Sequence, residues 1–375
     1  MSLEVRVEKG GLDESLRKYR APGTRFILGH GTFETRGAWG FTDLDCTMLA
    51  PGCSLEGQGH GATVVKLFDP IDKVGGTEAA YFETLTAGSR SRLASGGSVS
   101  GLTVDASMAS KPVVGLHAWA SCFRVSDVMV VGVWGSRSRP YPNEGFGALV
   151  NPCLWPSAIA GGNVVERVRV VLAETASGSD AENYSTGIYC GIDAPWMKDG
   201  TPLLRSFVRN CEVAGNKAHC GFGINRSTTI QNSECSGVVR AIYTDTGSVS
   251  RSEVRGLRAY GIEWGVELRT VNGATVSGLL LVNNSFEFNP SAAWSQAILL
   301  DTLTDPGNPG GRISLVRRCG NSWLSECAKR SKGRARGDVE VCKYGNDAWG
   351  IDPWSTGDDW EDVILQAGAK FRNRP

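Results

Sequence analysis

Along most of the chain, apolar and polar positions alternate over short runs of five to six residues, and a helical period surfaces in one place near the start. There Leu12, Leu16 and Tyr19 fall on one face of a segment running from Leu12 to Arg20, which predicts a short amphipathic helix. Pro22-Gly23 ends it. The runs Thr24 to Leu28, Cys46 to Leu49 and Ala62 to Leu67 follow as β-branched or apolar stretches between glycines, the pattern of short strands.

From Val99 onward the strands recur as a repeat. Val99-Ser-Gly-Leu-Thr-Val104 aligns with segments beginning at Val125, Val165, Val208, Ile230, Val249 and Val276, with starts 26, 40, 43, 22, 19 and 27 residues apart. A coil of about twenty residues is therefore the unit, and the spacings near forty hold long loops or one unrecognised coil. The third position carries Gly101, Asp127, Asn210, Asn232 and Gly278, residues that tolerate a left-handed backbone, as a sharp turn between strands requires; Arg167 and Arg251 depart from this. A second repeat lies downstream of the first: Gly115-Leu-His-Ala-Trp119, Gly187-Ile-Tyr-Cys-Gly191, Gly221-Phe-Gly-Ile-Asn225, Ala241-Ile-Tyr-Thr-Asp245, Gly261-Ile-Glu-Trp-Gly265 and Ala297-Ile-Leu-Leu-Asp301.

Two in-phase repeats of short strands, without helices between them, predict an all-β chain: a right-handed parallel β-helix with an N-terminal capping helix and an irregular C-terminal extension. The expected boundaries are 1–307 for the β-helix with its cap and 308–375 for an extension covering the open end. The extension holds the basic run Lys329 to Arg336 and a Trp-rich acidic segment around Trp349, Trp354 and Trp360. The motifs Pro22 to Phe33, Leu55 to Thr63 and Val99 to Asp105 resemble the pectate-lyase-like β-helix superfamily, which includes polysaccharide lyases, glycoside hydrolases and phage tailspikes. That resemblance covers about residues 12 to 300 and implies a carbohydrate-active role.

Glycine supplies 48 of the 375 residues, nearly twice the usual share of roughly 7%, in keeping with many tight turns. Lys plus Arg and Asp plus Glu both total 39, so neither a nucleic-acid nor an acidic-membrane partner is expected. No apolar run is long enough for a spanning helix, and the N-terminus has no signal-peptide core. The expectation is a soluble chain, cytoplasmic as written and secreted if a leader has been removed, either a monomer or a homotrimer. Its eleven cysteines include no Cys-x-x-Cys pair and read as reduced and buried, with Cys46/Cys53 and Cys319/Cys327 as the pairs an oxidising compartment would join.

Candidate chemistry follows from strand alternation. If the apolar second position of the second repeat points inward, the middle position presents His117, Tyr189, Gly223, Tyr243, Glu263 and Leu299 outward, and the fifth presents Trp119, Gly191, Asn225, Asp245, Gly265 and Asp301. With stacked strands about 4.8 Å apart, Asp245 and Glu263 are expected as neighbours beside Asn225 and Tyr243. Carboxylates that close repel unless they share a proton or a cation. This makes Asp245, Glu263 and Asp301 candidate Ca2+ ligands, with no organic cofactor implied. Arg226, Arg240 and Arg269 stand near enough in sequence to pair with a substrate carboxylate, and His219 sits where the Gly221 rung begins. The long insertions 135–157 and 174–202 contribute Trp155 and Trp196, aromatic faces suited to sugar rings. A hydrogen-bonded ladder without chemistry is the plain alternative.

Two details separate this chain from the β-helix polygalacturonases it resembles. Gly29-His30-Gly31 and Gly59-His60-Gly61 echo their Gly-His-Gly motif but lie in the N-terminal coils, where they read as turns. The paired aspartates that follow their Asn-Cys turn are replaced here by Ala218 and His219. The leading expectation is thus a lyase cleaving a uronate-containing polysaccharide or oligosaccharide by β-elimination. Tyr243 or His117 would be its acid or base, and Asn225 and Arg226 would hold the carboxylate, with Arg240, Tyr189, Trp119, Trp155 and Trp196 as substrate contacts. A glycoside hydrolase using Asp245 and Glu263, and a non-catalytic glycan-binding or tailspike-like module, are the alternatives.

Overall fold

A computed structural model describes residues 3–39, 48–70, 73–74, 77–78, 82–88, 95–135, 145–150, 160–173, 185–191, 202–215, 219–244, 248–270, 274–302, 311–327, 329–336, 339–341, 347–350, 363–366 and 370–371. Helix α1 (Leu12–Lys18) buries Leu12 and Leu16 as its pattern requires. The described strands beyond it build chiefly a 22-stranded and a 12-stranded sheet, whose coil-to-coil pairings are parallel. Backbone donors of one coil are satisfied by the next, so the chain winds as a parallel β-helix.

The larger sheet forms two faces joined by one left-handed residue per coil. Gly101, Asp127, Arg167, Asn210, Asn232, Gly256, Asn283 and Gly320 stack at this corner, with φ between 47° and 65° in the first five, and φ of 62°, 50° and 66° in the last three. Arg167, an exception by residue type, obeys the geometry at φ 51°. A left-handed conformation strains a long side chain by roughly 1 kcal/mol, and a two-pronged bond to Asp127 at 2.7 Å on each prong holds it. Beneath the corner, Phe26, Leu55, Val99, Val125, Val165, Val208, Ile230, Val254 and Leu281 form one buried stack.

This register corrects the sequence alignment. Ile230 pairs with Val254 and then Leu281, so the rungs aligned at Val249 and Val276 are displaced by five residues. Arg251 and Gly278 stack on each other at a different left-handed corner, at φ 52° and 78°.

The smaller sheet forms the third face. Its successive strands include Phe82–Ala87, Val113–Ala118, Gly145–Val150, Ser185–Cys190, His219–Ile224, Arg240–Thr244, Trp264–Arg269 and Ser295–Asp301. The strand Gly145–Val150 is the coil that the forty-residue spacing concealed. Ile188, Phe222 and Ile242 stack inward as expected, but the next member is Val266. Ile262 instead pairs with Phe288 in the larger sheet.

The small residue at the head of each rung has a steric cause. A Cβ at Gly115, Gly147 or Gly187 would stand 2.3 Å from a Val130, Val170 or Val213 methyl on the opposite wall. The coil is flattened here until two walls touch.

Beyond residue 308, where an extension was expected, both sheets continue. Arg312–Cys319 and Ser322–Leu324 pair onto the preceding coil of the larger sheet, and Arg330–Arg336, the basic run, pairs with Ser295–Asp301. Phe286 and Trp323 stack with ring centroids 4.2 Å apart, while Asp347 accepts hydrogen bonds from Trp323, Asn321 and Arg318. Cys319 and Cys327 are free thiols, and Cys53 donates to the Ala21 carbonyl at 3.3 Å; Cys46 lies outside the described residues.

The wall contact makes a direct test. Gly187→Val should lower unfolding free energy by about 1–3 kcal/mol or more, whereas Gly29→Ala, whose added methyl would meet nothing within 4 Å, should leave the denaturant midpoint within error of the parent.

Candidate functional site

On the third face the chain skips a residue between outward positions, so side chains three apart point away from the core. One outward ladder runs Glu83, Val114, Phe146, Thr186, Cys220, Arg240, Trp264 and Gln296. The other runs Met48, Thr86, His117, Leu149, Tyr189, Gly223, Tyr243, Glu267 and Leu299. His117, Tyr189, Gly223, Tyr243 and Leu299 thus occupy the expected ladder. Glu263 does not. It lies at the corner before Trp264, where its backbone N–H donates to the Val239 carbonyl, and Glu267 stands beside Tyr243 in its place.

The correction has consequences for the acidic cluster. Asp301 pairs with Arg269 at the far end of the strand, and six residues of strand between 263 and 269 span about 20 Å. Glu263 and Asp301 therefore cannot share one cation, nor can the three proposed acids act as a set. Asp245, Trp155, Trp196 and the His219 side chain lie outside the described residues. Among the described residues no group of three or more His, Cys, Asp or Glu side chains is arranged to hold a metal.

What the ladder does assemble is a buried cation cluster. Glu267, wholly buried, is flanked by Arg240, which ion-pairs with one carboxylate oxygen, and by Arg269, whose Nε stands 2.7 Å from the other. The Arg240 guanidinium also lies over Tyr243 and Trp264, at 5.6 and 4.9 Å from the ring centroids. Burial disfavours its charge, but Cys220 and Glu267 more than offset this and hold its pKa above the ordinary value. Arg269 remains 37% exposed at its side chain, and its described contact uses Nε alone.

Two rungs earlier, Asn225 is buried and donates from Nδ2 to the Tyr189 hydroxyl at 2.9 Å, while its Oδ1 accepts the Arg226 N–H at 2.8 Å. Glycines make this possible. A Cβ at Gly223 would sit 2.0 Å from the Tyr189 ring, so the ring lies over a bare backbone, with Phe146 against it edge-on at 5.8 Å.

A third nest lies toward the N-terminal end. His117 Nδ1 is 2.7 Å from Glu83 Oε1, Thr86 donates to Glu83 Oε2 at 2.9 Å, and the Trp119 ring packs at 4.3 Å from the imidazole. His117 and Tyr243 share a ladder, yet four rungs separate them, about 19 Å at the usual strand spacing. They cannot serve the same reacting atom, as the sequence had allowed. His30 and His60 are exposed residues of turns.

Sequence reasoning missed Glu83 and Glu267. Gly265-Val-Glu-Leu-Arg269 fits the small-apolar-polar pattern as well as Gly261-Ile-Glu-Trp-Gly265 does, so the signal was present but ambiguous.

Comparison with known proteins places the coil geometry but not the chemistry. No family model and no curated protein matches the chain. Among solved structures it is similar to the polygalacturonase from Erwinia carotovora ssp. carotovora, at 12% identity and a TM-score of 0.60 over 97% of this chain and 96% of that one. It is also similar to the tailspike protein of E. coli bacteriophage HK620 in complex with pentasaccharide, at 14% identity and a TM-score of 0.57 over 93% of this chain and 58% of the tailspike. The chain shares their right-handed parallel β-helix fold. Identity this low extends the likeness to the fold alone.

Two measurements follow from these surroundings. Glu267→Gln removes the partner of a buried guanidinium and should destabilise the protein by about 3–5 kcal/mol, read as a lowered melting temperature. Burial pushes the Cys190 and Cys211 thiols up to about 12, so alkylation of the native protein at neutral pH, mapped by peptide mass spectrometry, should label exposed Cys122 well before either.

Proposed function

We propose that the outward face of the third sheet binds an extended, uronate-containing polysaccharide and cleaves it by β-elimination. The observation that carries the reading is Arg269, a guanidinium 37% exposed at its side chain and ion-paired through Nε with buried Glu267, so that its terminal nitrogens can pair with a uronate carboxylate. Binding of that carboxylate withdraws charge from the sugar ring and acidifies the C5 hydrogen. Tyr243, on the rung before and beneath the Arg240 cation, is the candidate base. As the phenolate it would take the C5 proton while the C4–O bond breaks, and the phenol so formed would pass that proton to the departing C4 oxygen, leaving a C4–C5 double bond on one fragment and a neutral hydroxyl on the other. Asn225 and Tyr189 continue the contact surface along the chain axis.

The hydrolase alternative required Asp245 and Glu263 side by side, and Glu263 stands at a corner instead. The binding-module alternative draws on the deep burial of Tyr243 and Asn225 and on the tailspike neighbour, which carries a pentasaccharide.

One digestion panel separates the three readings. Uronate polymers incubated with the protein, with and without chelator and added Ca2+, should yield ultraviolet absorbance of an unsaturated uronate. Tyr243→Phe should lower kcat by about 10²-fold or more while keeping the parent melting temperature, and Arg269→Ala, which also strips a partner from buried Glu267, should raise KM and lower the melting temperature. Reducing ends without absorbance would overturn elimination in favour of hydrolysis, and saturable binding without products would favour the module.

A further inference from the structure

The Glu83–His117 nest is not explained by chemistry at Tyr243. It lies about 19 Å away, four rungs along the same ladder. Its construction is nonetheless that of a polar contact held ready. Glu83 and His117 are each at most 2% exposed. Thr86 fixes one Glu83 oxygen, the other is 2.7 Å from His117 Nδ1, and Trp119 backs the imidazole. A carboxylate on Nδ1 keeps the proton on that nitrogen and aims Nε2 away from it. Nε2 has no hydrogen-bond partner among the described residues. Leaving a buried polar atom unmatched typically costs about 1–3 kcal/mol, a cost that a hydrogen-bonding partner at Nε2 would remove.

We propose that Glu83 and His117 form a second glycan contact, in which Nε2 hydrogen-bonds a sugar hydroxyl of the same chain whose uronate lies at Arg269. This deepens the reading above and rests on it. A hydroxyl suits the position in either form of the ring, since it donates to the bare nitrogen of neutral imidazole and accepts from imidazolium. The ladder between the two contacts carries Leu149, Tyr189, Gly223 and Tyr243, of which Tyr189 presents a partly exposed ring, an aromatic face of the kind sugars cover. The two contacts therefore define a minimum ligand length: a chain too short to span about five rungs, from the His117 strand to the Trp264–Arg269 strand, can engage one of them but not both.

The experiment uses the full chain and a length series of oligogalacturonates. Expected is a step in affinity at the length that spans both contacts, and a His117→Gln variant in which the long-to-short affinity ratio falls about tenfold, while the His60→Gln control at an exposed turn keeps the step. Histidine-selective ¹⁵N NMR on the parent protein removes dependence on how well the variant folds. Long oligomers should shift the His117 Nε2 resonance with Nδ1 still protonated, and short ones that bind should not. Binding of long oligomers with no step and no Nε2 shift would overturn this contact and leave the reading at Arg269 standing. Absence of binding at every length would overturn both.

Discussion

The third sheet can close the coil only where its backbone passes within a methyl's reach of the opposing wall. That contact dictates glycine at Gly115, Gly147, Gly187, Gly221 and Gly265, and it offsets the usual alternation, because a residue pressed inward between two others leaves the outward positions three apart. Every functional proposal depends on this phase. Arg240 and Tyr243 share a face through it, as do Glu83 and Thr86, and a strict two-residue period would have turned one of each pair into the core. The glycines are thus as responsible for the outward ladder as the residues that compose it.

The fold was legible because its constraints act on single residues. A corner that turns within one left-handed position selects Gly, Asn and Asp, and the inward stack selects Val, Ile and Leu, so both recur visibly. Phase was less legible. Val249 and Val276 match the first repeat in composition but belong five residues away, since Arg251 and Gly278 stack at a second corner with the same backbone demand. Glu263 was chosen over Glu267 for a similar reason: overlapping pentads satisfy one pattern, and what distinguishes them is whether the chain has already turned the corner, a property of the preceding strand from Arg258 to Ile262 and its pairing partner. The Glu83–His117 pair was invisible because its members are 34 residues apart and Glu83 precedes the first recognised rung.

Charge is handled differently on the two principal faces. On the larger sheet, buried Glu166 collects Arg124, Arg167 and Arg209. Burial works to raise its pKa, but hydrogen bonds from Arg209 and Arg124 outweigh this and the net shift is downward. Asp127 is likewise lowered, chiefly by the Arg167 hydrogen bond. Here the carboxylate of Glu166 is buried but its three arginine partners stand about half exposed, so solvent screens their charge. The Arg240–Glu267–Arg269 cluster is assembled under cover, where desolvation is steep and an ion pair stands only with its partners complete. The second network holds the Arg240 guanidinium where water is scarce.

Coil length varies from 21 residues between Val5 and Phe26 to 44 between Leu55 and Val99, yet the stacked residues keep one register throughout. Length and register are therefore uncoupled: a segment of any size can be spliced in at a corner without disturbing the rungs above and below. Such a scaffold lets the rim of the third face diverge quickly while its floor stays fixed, so descendants of one ancestral coil could come to recognise different polymers with the same stacked interior.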